Sequence, residues 1–408
     1  MDKKKRKKKQ KWIKPRHEFV RIILSPFIRL LCKMKYHIKI RGYKEKRQCL
    51  IIANHQTPFD QFFVELSFRK HLYFLTNDDI FSNGFTSWLI NFLVKPIPIK
   101  KGTTDVKAIL DCKRVAKEGG SIAIFPEGNR TYSGKTEEIK ETIAPFVKAL
   151  GLPLVIYHIK GGYGVMPRWG EKTRRGKMES YVSEVIEYDD YKDLSNEELY
   201  KLICEKLYVN EGTLDKSFYS KKSAEYLERA IYYCPTCGLS EWESKGEKVS
   251  CKTCGLTVRY LPSKELLGVN REFPYSFVSE WYDAQCKFIR SLDISPYTDV
   301  PIFTDSINLS EVIPCKKKIP MGEWVTLSAF NNRLEINLEN ETLVVPFDKI
   351  TAMGIIGKNK INYYFDKRIF QIKGNERFNA LKYVNLVFRY KNIKKKERGE
   401  EYDEFLGL

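Results

Sequence analysis

The stretch NHQTPFD, residues 54–60, follows a short apolar run, LIIA, and decides how the first half of this chain is organised. Such a run is typical of a buried strand. Thr57 is a good helix N-cap residue, and Pro58 suits the first position of a helix. The pattern therefore predicts a strand, a loop that carries His55, and a helix with Asp60 in its first turn.

Two of these side chains could act together in general-base catalysis. His55 and Asp60 are five residues apart and would not share a helix face, but a bend between strand and helix could bring them together. A neutral imidazole can accept a proton from a hydroxyl while a carboxylate fixes its tautomer. The alternative is an ordinary loop histidine beside an ordinary first-turn acid, and the spacing alone favours that alternative.

A second motif, SIAIFPEGNRT at residues 121–131, has the same layout. An apolar run again predicts a buried strand, and it leads into a Pro/Gly turn that carries Glu127 and Arg130. An arginine on a turn at a strand end can bind phosphate with its bidentate fork. The alternative is a Glu–Arg pair that only braces the turn.

The segments NHQTPFD and FPEGNRT, in this order and about 65 residues apart, resemble the paired motifs of the glycerolipid acyltransferases, the lysophosphatidic acid acyltransferase family. The resemblance covers roughly residues 17–210. It implies transfer of a fatty acyl group from acyl-ACP or acyl-CoA to the hydroxyl of a lysophospholipid, with lysophosphatidic acid as the expected acceptor. His55 would be the general base, Asp60 would orient it, and no cofactor would take part in the chemistry.

The resemblance also implies a site for the phosphate of the acceptor. The family has a basic block between the two motifs, and KPIPIKKG at residues 95–102 fills that place, with lysines where an arginine is usual. The residues expected at the phosphate are Glu127, Gly128, Arg130, Lys100 and Lys101.

Positive charge is concentrated at the start of the chain. Residues 1–50 hold 19 Lys/Arg and three acids, which accounts for +16 of the net charge of +20. A polybasic arm at 1–16 beside an apolar, partly basic helix fits peripheral binding to an anionic membrane surface. The alternatives are a solvated tail for the arm and core packing for the helix. A second apolar patch at residues 85–99 favours a core helix over a lipid-facing one.

Neither a secretory signal nor an apolar run of about 18 residues is visible in the sequence. We therefore expect no transmembrane helix and a peripheral position on the cytoplasmic face of the membrane. Strands and helices alternate over residues 17–212, which predicts an α/β acyltransferase domain with a mostly buried sheet.

Four cysteines form two C-x-x-C-G units, and thirteen residues separate the two cysteine pairs. This spacing predicts a small zinc ribbon at residues 230–260, in which four thiolates close a structural zinc site. A redox dithiol is the alternative, although it needs only one pair. The ribbon has no basic excess, which argues against nucleic acid as its partner. The expected ligands are Cys234, Cys237, Cys251 and Cys254.

The last part of the chain predicts a helix and linker at residues 261–320 and an antiparallel β roll with a C-terminal helix at 321–392. Apolar and polar residues alternate there with period two, and turn signals separate the short runs. The layout resembles a pleckstrin-homology-like domain. Such rolls bind phosphoinositides or proteins, and a scaffold or dimer contact is equally consistent with the pattern. The sequence does not assign a protein partner to the ribbon or the roll.

A second function class is consistent with the same features. A membrane-associated or nucleic-acid-binding adaptor could carry the basic arm, the ribbon and the roll on an inactive acyltransferase fold. The presence of His55, Asp60, Glu127 and Arg130 together argues for the enzyme.

Overall fold

The computed structural model describes residues 11–77, 80–81, 84–99, 105–213, 216–314, 317–400 and 405–407. The basic run at 3–9 and both Lys100 and Lys101 lie outside the described residues, so their predicted roles stay predictions.

The first domain is built on a seven-stranded sheet whose central strands lead into the two motifs. Its spatial order is β1 (Ile38–Ile40), β7 (Met178–Ile186), β6 (Leu154–Lys160), β2 (Leu50–Ala53), β5 (Ser121–Ile124), β3 (Leu72–Asn77) and β4 (Ile97–Ile99). β2 pairs in parallel with both β5 and β6, whereas β7 runs antiparallel to β6. The loops that follow β2, β5 and β6 therefore leave the same edge of the sheet.

Helices cover both faces of this sheet. They are α1 (Pro15–Tyr36), α2 (Asp60–Ser67), α3 (Phe85–Leu93), α4 (Val106–Lys117), α5 (Ile143–Leu150), α6 (Gly162–Val165), α7 (Tyr188–Tyr191) and α8 (Asn196–Leu207). Side chains alternate along β2, so Leu50 and Ile52 pack with α4, α5 and α8, while Ile51 and Ala53 pack with α1 and α2. This arrangement confirms the predicted α/β domain with a buried sheet.

The helix after the first motif begins at Asp60, two residues later than predicted, and its N-cap is Phe59. Thr57 is therefore not the N-cap of a helix that begins at Pro58. Its Oγ1 atom donates to Asp60 Oδ1 at 2.6 Å. The carboxylate of Asp60 thus organises the turn that precedes its own helix.

Two apolar helices face outward. α1 carries eight exposed large apolar side chains, which are Phe19, Ile22, Ile23, Leu24, Phe27, Leu30, Leu31 and Met34. On α3, Phe85, Trp88, Leu89 and Phe92 are exposed as well, so the expected core helix at 85–99 was wrong. Periodicity shows which residues share a face, but it does not say what covers that face. Among the described helices, none is both long and apolar enough to cross a membrane.

The second half of the chain forms what we call the C-terminal module, residues 224–400. It starts with a short hairpin and a four-stranded antiparallel sheet around the paired cysteines: β8 (Tyr233–Cys234), β9 (Gly238–Leu239), β10 (Trp242–Lys245), β11 (Lys248–Cys251), β12 (Thr257–Tyr260) and β13 (Leu266–Gly268). Helix α9 (Val278–Ser291) follows. A hydrogen bond from Trp281 Nε1 to the Tyr233 carbonyl at 2.9 Å fixes this helix against the hairpin.

A curled seven-stranded antiparallel sheet and a long helix complete the module. The spatial order is β17 (Thr342–Pro346), β16 (Arg333–Asn337), β15 (Lys317–Ala329), β14 (Phe303–Ile313), β20 (Arg368–Gly374), β19 (Lys360–Phe365) and β18 (Ile350–Ile356), with α10 at Ala380–Glu397. The predicted linker at 292–320 was wrong in its second half, because β14 and the start of β15 occupy it. Prolines at 296, 301, 314 and 320 hid these strands, although only Pro320 lies within one of them.

One hydrophobic core joins the cysteine region, α9 and the curled sheet. The same core also contains two side chains from the first domain, Tyr132 and Trp169, both fully buried. Trp169 packs edge-on against Tyr260, with ring centroids 5.7 Å apart. The C-terminal module therefore packs directly against the loops that follow β5 and β6.

Candidate active site

The chain leaving β2 is hydrogen-bonded to the neighbouring strand β6 at the first residue of the first motif. Asn54 Nδ2 donates to the Ile159 carbonyl at 2.9 Å, and Ile159 N donates back to Asn54 Oδ1 at 2.7 Å. One residue beyond His55, Gln56 Oε1 accepts from the backbone N–H of Gly162 at 2.8 Å. His55 thus lies between two buried amides that hold its backbone in place.

His55 and Asp60 meet as the sequence predicts. The distance between His55 Nδ1 and Asp60 Oδ2 is 2.8 Å, and the Asp60 carboxylate is fully buried. Because an ionised carboxylate only accepts hydrogen bonds, Nδ1 carries the proton and the lone pair of the neutral ring lies on Nε2. The His55 side chain remains 20% exposed, so this ring can be reached by a substrate.

The Asp60 carboxylate is held by more than the histidine. Its Oδ2 atom accepts backbone N–H groups from Gln56 at 2.6 Å and from Thr57 at 2.9 Å. Together with the Thr57 hydroxyl, these donors fix the carboxylate in one orientation. The imidazole is therefore aligned by a rigid partner.

The environment of His55 favours the neutral ring. Burial lowers its pKa below the ordinary value of 6.5, and the hydrogen bond and charge of Asp60 only partly oppose this effect. Phe125 stacks on the imidazole, with ring centroids 4.3 Å apart and an interplanar angle of 22°. A neutral imidazole at pH 7 is the state that can accept a proton.

Glu127 joins the two motifs through backbone groups. Its Oε1 atom accepts the N–H of His55 at 2.6 Å, and Oε2 accepts the N–H of Glu137 at 2.7 Å. Burial raises the pKa of this carboxyl well above its ordinary value. The side chain thus ties the His55 loop to the loop after β5, and its predicted contact with a phosphate stays a prediction.

Arg130 lies near the histidine pair. Its Nη1 atom is buried and has no hydrogen-bond partner among the residues that the structure describes. Burial and the nearby charge of Arg168 lower the pKa of Arg130 to about 10, which leaves the guanidinium charged at neutral pH. A buried donor without a partner is costly, so this atom is available for an anionic ligand. Gly128 lies in the preceding turn, where its N–H donates to the Phe125 carbonyl at 3.0 Å.

Residues 36–159 match the family model described as Acyltransferase. This segment contains both motifs, with His55, Asp60, Glu127 and Arg130, whereas Gly162 and Arg168 lie beyond its end. A chloroplastic 1-acyl-sn-glycerol-3-phosphate acyltransferase of Brassica napus is 26% identical over 124 residues, covering 30% of this chain and 36% of that protein. A second chloroplastic enzyme of this name, from Arabidopsis thaliana, is 25% identical over 33% of this chain and 39% of its own length. These matches support the glycerolipid acyltransferase family for the first domain.

Two further similarities concern bacterial proteins. A 1-acyl-sn-glycerol-3-phosphate acyltransferase of Pseudomonas aeruginosa is 24% identical over 35% of this chain and 56% of its own length. The crystal structure of the 1-acyl-sn-glycerophosphate acyltransferase PlsC from Thermotoga maritima aligns over 47% of this chain and 78% of that chain, at 21% identity and a TM-score of 0.40. The chain thus spans between about a third and just over half of the length of the curated relatives.

The four paired cysteines also come together. Their sulfur atoms all lie within 4.8 Å of one another, and Cys234 Sγ is 3.8 Å from Cys254 Sγ. A tetrahedral zinc with Zn–S bonds of about 2.3 Å would place its sulfurs about 3.8 Å apart, so the donor set fits the metal. Gly238 and Gly255 follow the two C-x-x-C turns with φ of +77° and +71°, a conformation that favours glycine. The cluster can therefore hold a metal ion.

The sequence did not reveal which residues hold the site in place. Asn54 and Gln56 belong to the quoted motif, but their amides bond to β6 and the loop after it, which only the sheet order brings close. The parallel pairing of β2 with β6 was the missing information.

Proposed function

We propose that this protein moves a fatty acyl group from acyl-ACP or acyl-CoA to the free hydroxyl of a lysophospholipid. In the simplest case the acceptor is lysophosphatidic acid and the product is phosphatidic acid. The observation that carries the proposal is the 2.8 Å pairing of His55 Nδ1 with a buried Asp60 carboxylate, beside an arginine whose Nη1 atom has no partner in the described structure. The similarity of residues 36–159 to acyltransferases supports it.

In the proposed reaction, His55 acts as the general base. Its Nε2 atom takes the proton of the acceptor hydroxyl as the oxygen attacks the thioester carbonyl carbon. The carbon–sulfur bond then breaks with its electron pair on sulfur, and the imidazolium gives the proton to the leaving thiolate. Asp60 keeps the ring in the correct tautomer and stabilises its transient positive charge. The products are the acylated phospholipid and the free thiol of CoA or of the carrier protein.

Arg130 binds the acceptor phosphate in this proposal. Its Nη1 atom, which has no partner among the residues with a described position, offers a charge-assisted hydrogen bond, and a phosphate is an acceptor that satisfies it. Lys100 and Lys101 would add charge from the block between the motifs. Glu127 fixes the distance between base and phosphate site, because it holds the backbone of His55 from within the Arg130 motif.

The protein would work at a membrane surface. The exposed apolar residues of α1 and α3 form the face that would enter the lipid, and the polybasic arm would bind anionic headgroups. Both substrate and product are lipids, so peripheral attachment at the cytoplasmic face would place the site where they reside.

Zinc has a structural part in the proposal. Cys234, Cys237, Cys251 and Cys254 would hold the ion in the ribbon, and four thiolates leave no open position for chemistry. The curled sheet and α10 would be the pleckstrin-homology-like part of the module in this proposal.

The deciding experiment compares the purified protein with the variant His55→Ala. Release of free thiol is followed with lysophosphatidic acid and each of the two thioesters. The wild type is expected to transfer, and His55→Ala is expected to lose activity while it keeps its thermal unfolding temperature. His37→Asn is the matched control, since His37 is an exposed histidine with φ of +48° and asparagine tolerates that conformation. Activity in His55→Ala equal to that of the wild type would refute the mechanism.

A further inference from the structure

Arg168 lies outside both motifs, on the loop after α6. Its side chain is almost completely buried, at 2% exposure. Arg168 Nη1 donates to the carbonyl of Arg130 at 2.9 Å, and Nη2 donates to Asn129 Oδ1 at 3.1 Å. The guanidinium also lies over the ring of Tyr132, 4.3 Å from its centroid. One arginine thus contacts three positions of the loop around residue 130, namely residues 129, 130 and 132.

The remaining side-chain nitrogen of Arg168, Nε, contacts the C-terminal module. Nε donates to the carbonyl of Gly357 at 3.4 Å, in the turn between β18 and β19. The next residue of that turn, Lys358, donates through Nζ to the Gly170 carbonyl at 2.6 Å and to Glu171 Oε2 at 2.8 Å. The turn at 357–358 therefore holds Arg168 and the two residues that follow Trp169.

A second buried arginine secures the same loop from another part of the module. Arg229 is 1% exposed, and its Nη1 atom donates to the Trp169 carbonyl at 2.9 Å and to Glu171 Oε1 at 2.6 Å. Glu171 consequently pairs with Arg229 on one oxygen and with Lys358 on the other. These ion pairs are partly shielded from water, so they are less weakened than exposed pairs.

The roles of the two arginines near the histidine differ. All three kinds of Arg168 nitrogen donate to protein oxygens, whereas Arg130 Nη1 has no hydrogen-bond partner in the described part of the chain. Two guanidinium groups in a buried setting repel each other, and an anion bound by Arg130 would relieve that repulsion. Arg168 is thus placed to position the ligand-binding arginine without touching the ligand.

We propose that the C-terminal module completes the acceptor site, because its turn at 357–358 fixes Arg168, and Arg168 as a positioning residue aims Arg130 at the acceptor phosphate. This inference rests on the proposed function, since it names the part of the chain on which phosphate recognition depends. The module acts in recognition of the phosphate-bearing acceptor and leaves the thioester donor unaffected.

The test measures steady-state kinetics of Arg168→Lys and Lys358→Met, with lysophosphatidic acid and the thioester varied in turn. Arg168→Lys keeps the charge but loses the branched set of donors. We expect the KM for lysophosphatidic acid to rise about ten-fold, since small misplacements of a binding group carry large kinetic costs. The KM for the thioester and kcat should stay within about two-fold. Lys358→Met changes the turn of the C-terminal module. This variant should raise the KM for lysophosphatidic acid about three-fold.

Lys349→Met serves as the matched control, because Lys349 is an exposed lysine of the same sheet region. A loss of kcat with both KM values shifted equally, or a lower unfolding temperature alone, would show a merely structural role and overturn the inference. If Arg168→Lys does not fold, Lys358→Met decides.

Equilibrium binding of lysophosphatidic acid, measured by isothermal titration, separates this inference from the proposed function. Wild-type binding that weakens about ten-fold in Arg168→Lys supports the positioning role even where no thiol is released. Equal binding by the wild type and by Arg168→Lys overturns the inference while leaving acyl transfer standing. A wild type that neither binds nor acylates the lipid overturns both.

Discussion

The backbone N–H of His55 donates to Glu127 Oε1 at 2.6 Å, so the residue proposed as the base is held by a carboxylate from the motif that carries Arg130. A return contact runs from Thr131 N to the His55 carbonyl at 3.1 Å. The two motifs are therefore one structural unit, although about 65 residues separate them along the chain. These two contacts set the spacing between His55 and Arg130, the residues proposed as the base and as the phosphate-binding group.

Replacing Asp60 with asparagine tests the orientation of the imidazole. The asparagine amide oxygen can still accept one N–H, but a neutral amide cannot stabilise an imidazolium. Its NH2 group would lie against the N–H groups that donate to Asp60 in the wild type. We expect kcat to fall by about 10⁴, the loss known for replacing an aspartate that orients a catalytic histidine. The KM for lysophosphatidic acid should change little. Thiol release at saturating lipid measures the effect, and Asp189→Asn, at an exposed acid of the same domain, is the control. Full activity of Asp60→Asn would contradict the assignment.

The pH dependence of the reaction follows from the buried imidazole. The base works in its neutral form, and burial lowers the pKa of His55 below 6.5. The rate should therefore rise as pH increases through that lowered pKa and then stay level. We expect kcat/KM to reach half of its plateau at a pH below 6.5. Profiles from pH 4.5 to 9, with circular dichroism at each pH to monitor folding, provide the measurement. A midpoint above 6.5 would argue against His55 as the base.

Glu127→Gln should affect stability and activity together. Both carboxylate oxygens accept backbone N–H groups, and glutamine can replace only one of these acceptors. One buried N–H then loses its partner, which costs about 1–3 kcal/mol of unfolding free energy. Urea unfolding measures this loss, and acyl transfer should fall as the His55 loop shifts. Glu205→Gln, at an exposed glutamate on α8, is expected to change neither quantity.

Metal content tests the cysteine cluster. We expect about one zinc per chain, bound by four thiolates and removed by a strong chelator under denaturing conditions. Because the ribbon shares its core with the curled sheet, Cys251→Ser should lose the metal and lower the unfolding temperature by about 10 °C or more. The free Cys112→Ser variant, far from the cluster in sequence, is the control. A metal-free wild type with an oxidised Cys234–Cys237 pair would favour the redox alternative.

Membrane binding depends on two separable features in the proposal. Deleting residues 1–11, which hold eight Lys/Arg, should weaken binding to phosphatidylglycerol vesicles at least about ten-fold at low salt and less at high salt. Phe27→Asp should weaken binding at any salt concentration, because Phe27 is 68% exposed on α1. Val300→Asp, at an equally exposed apolar residue of the C-terminal module, is the control in vesicle sedimentation. Unchanged binding of the deletion variant would restore the solvated-tail alternative.

The sequence predicts the site better than it predicts the parts around the site. His55 and Asp60 lie within five residues of each other, so a local bend suffices to pair them, and the second motif marks its own turn with Pro126 and Gly128. Arg168 gives no such signal. It lies in an irregular loop, and its partners at positions 129, 130 and 357 are close only in the folded chain.

The same limit explains the errors about exposure and boundaries. Apolar spacing on α3 fits a core or an outward face equally well, because the periodicity is identical in both cases. The first strands of the curled sheet lay hidden among prolines, which are tolerated at strand ends and at edges. Local patterns thus located the candidate site residues, whereas long-range contacts decided which surfaces are covered.

The burial of Trp169 and Tyr132 within the core of the C-terminal module has a practical consequence for anyone who shortens this chain. A fragment that stops near residue 212 would leave both rings facing water and would strip Arg168 and Glu171 of their distant partners. The first domain is therefore not a portable unit, and chimaeras should exchange everything from the first helix through α10.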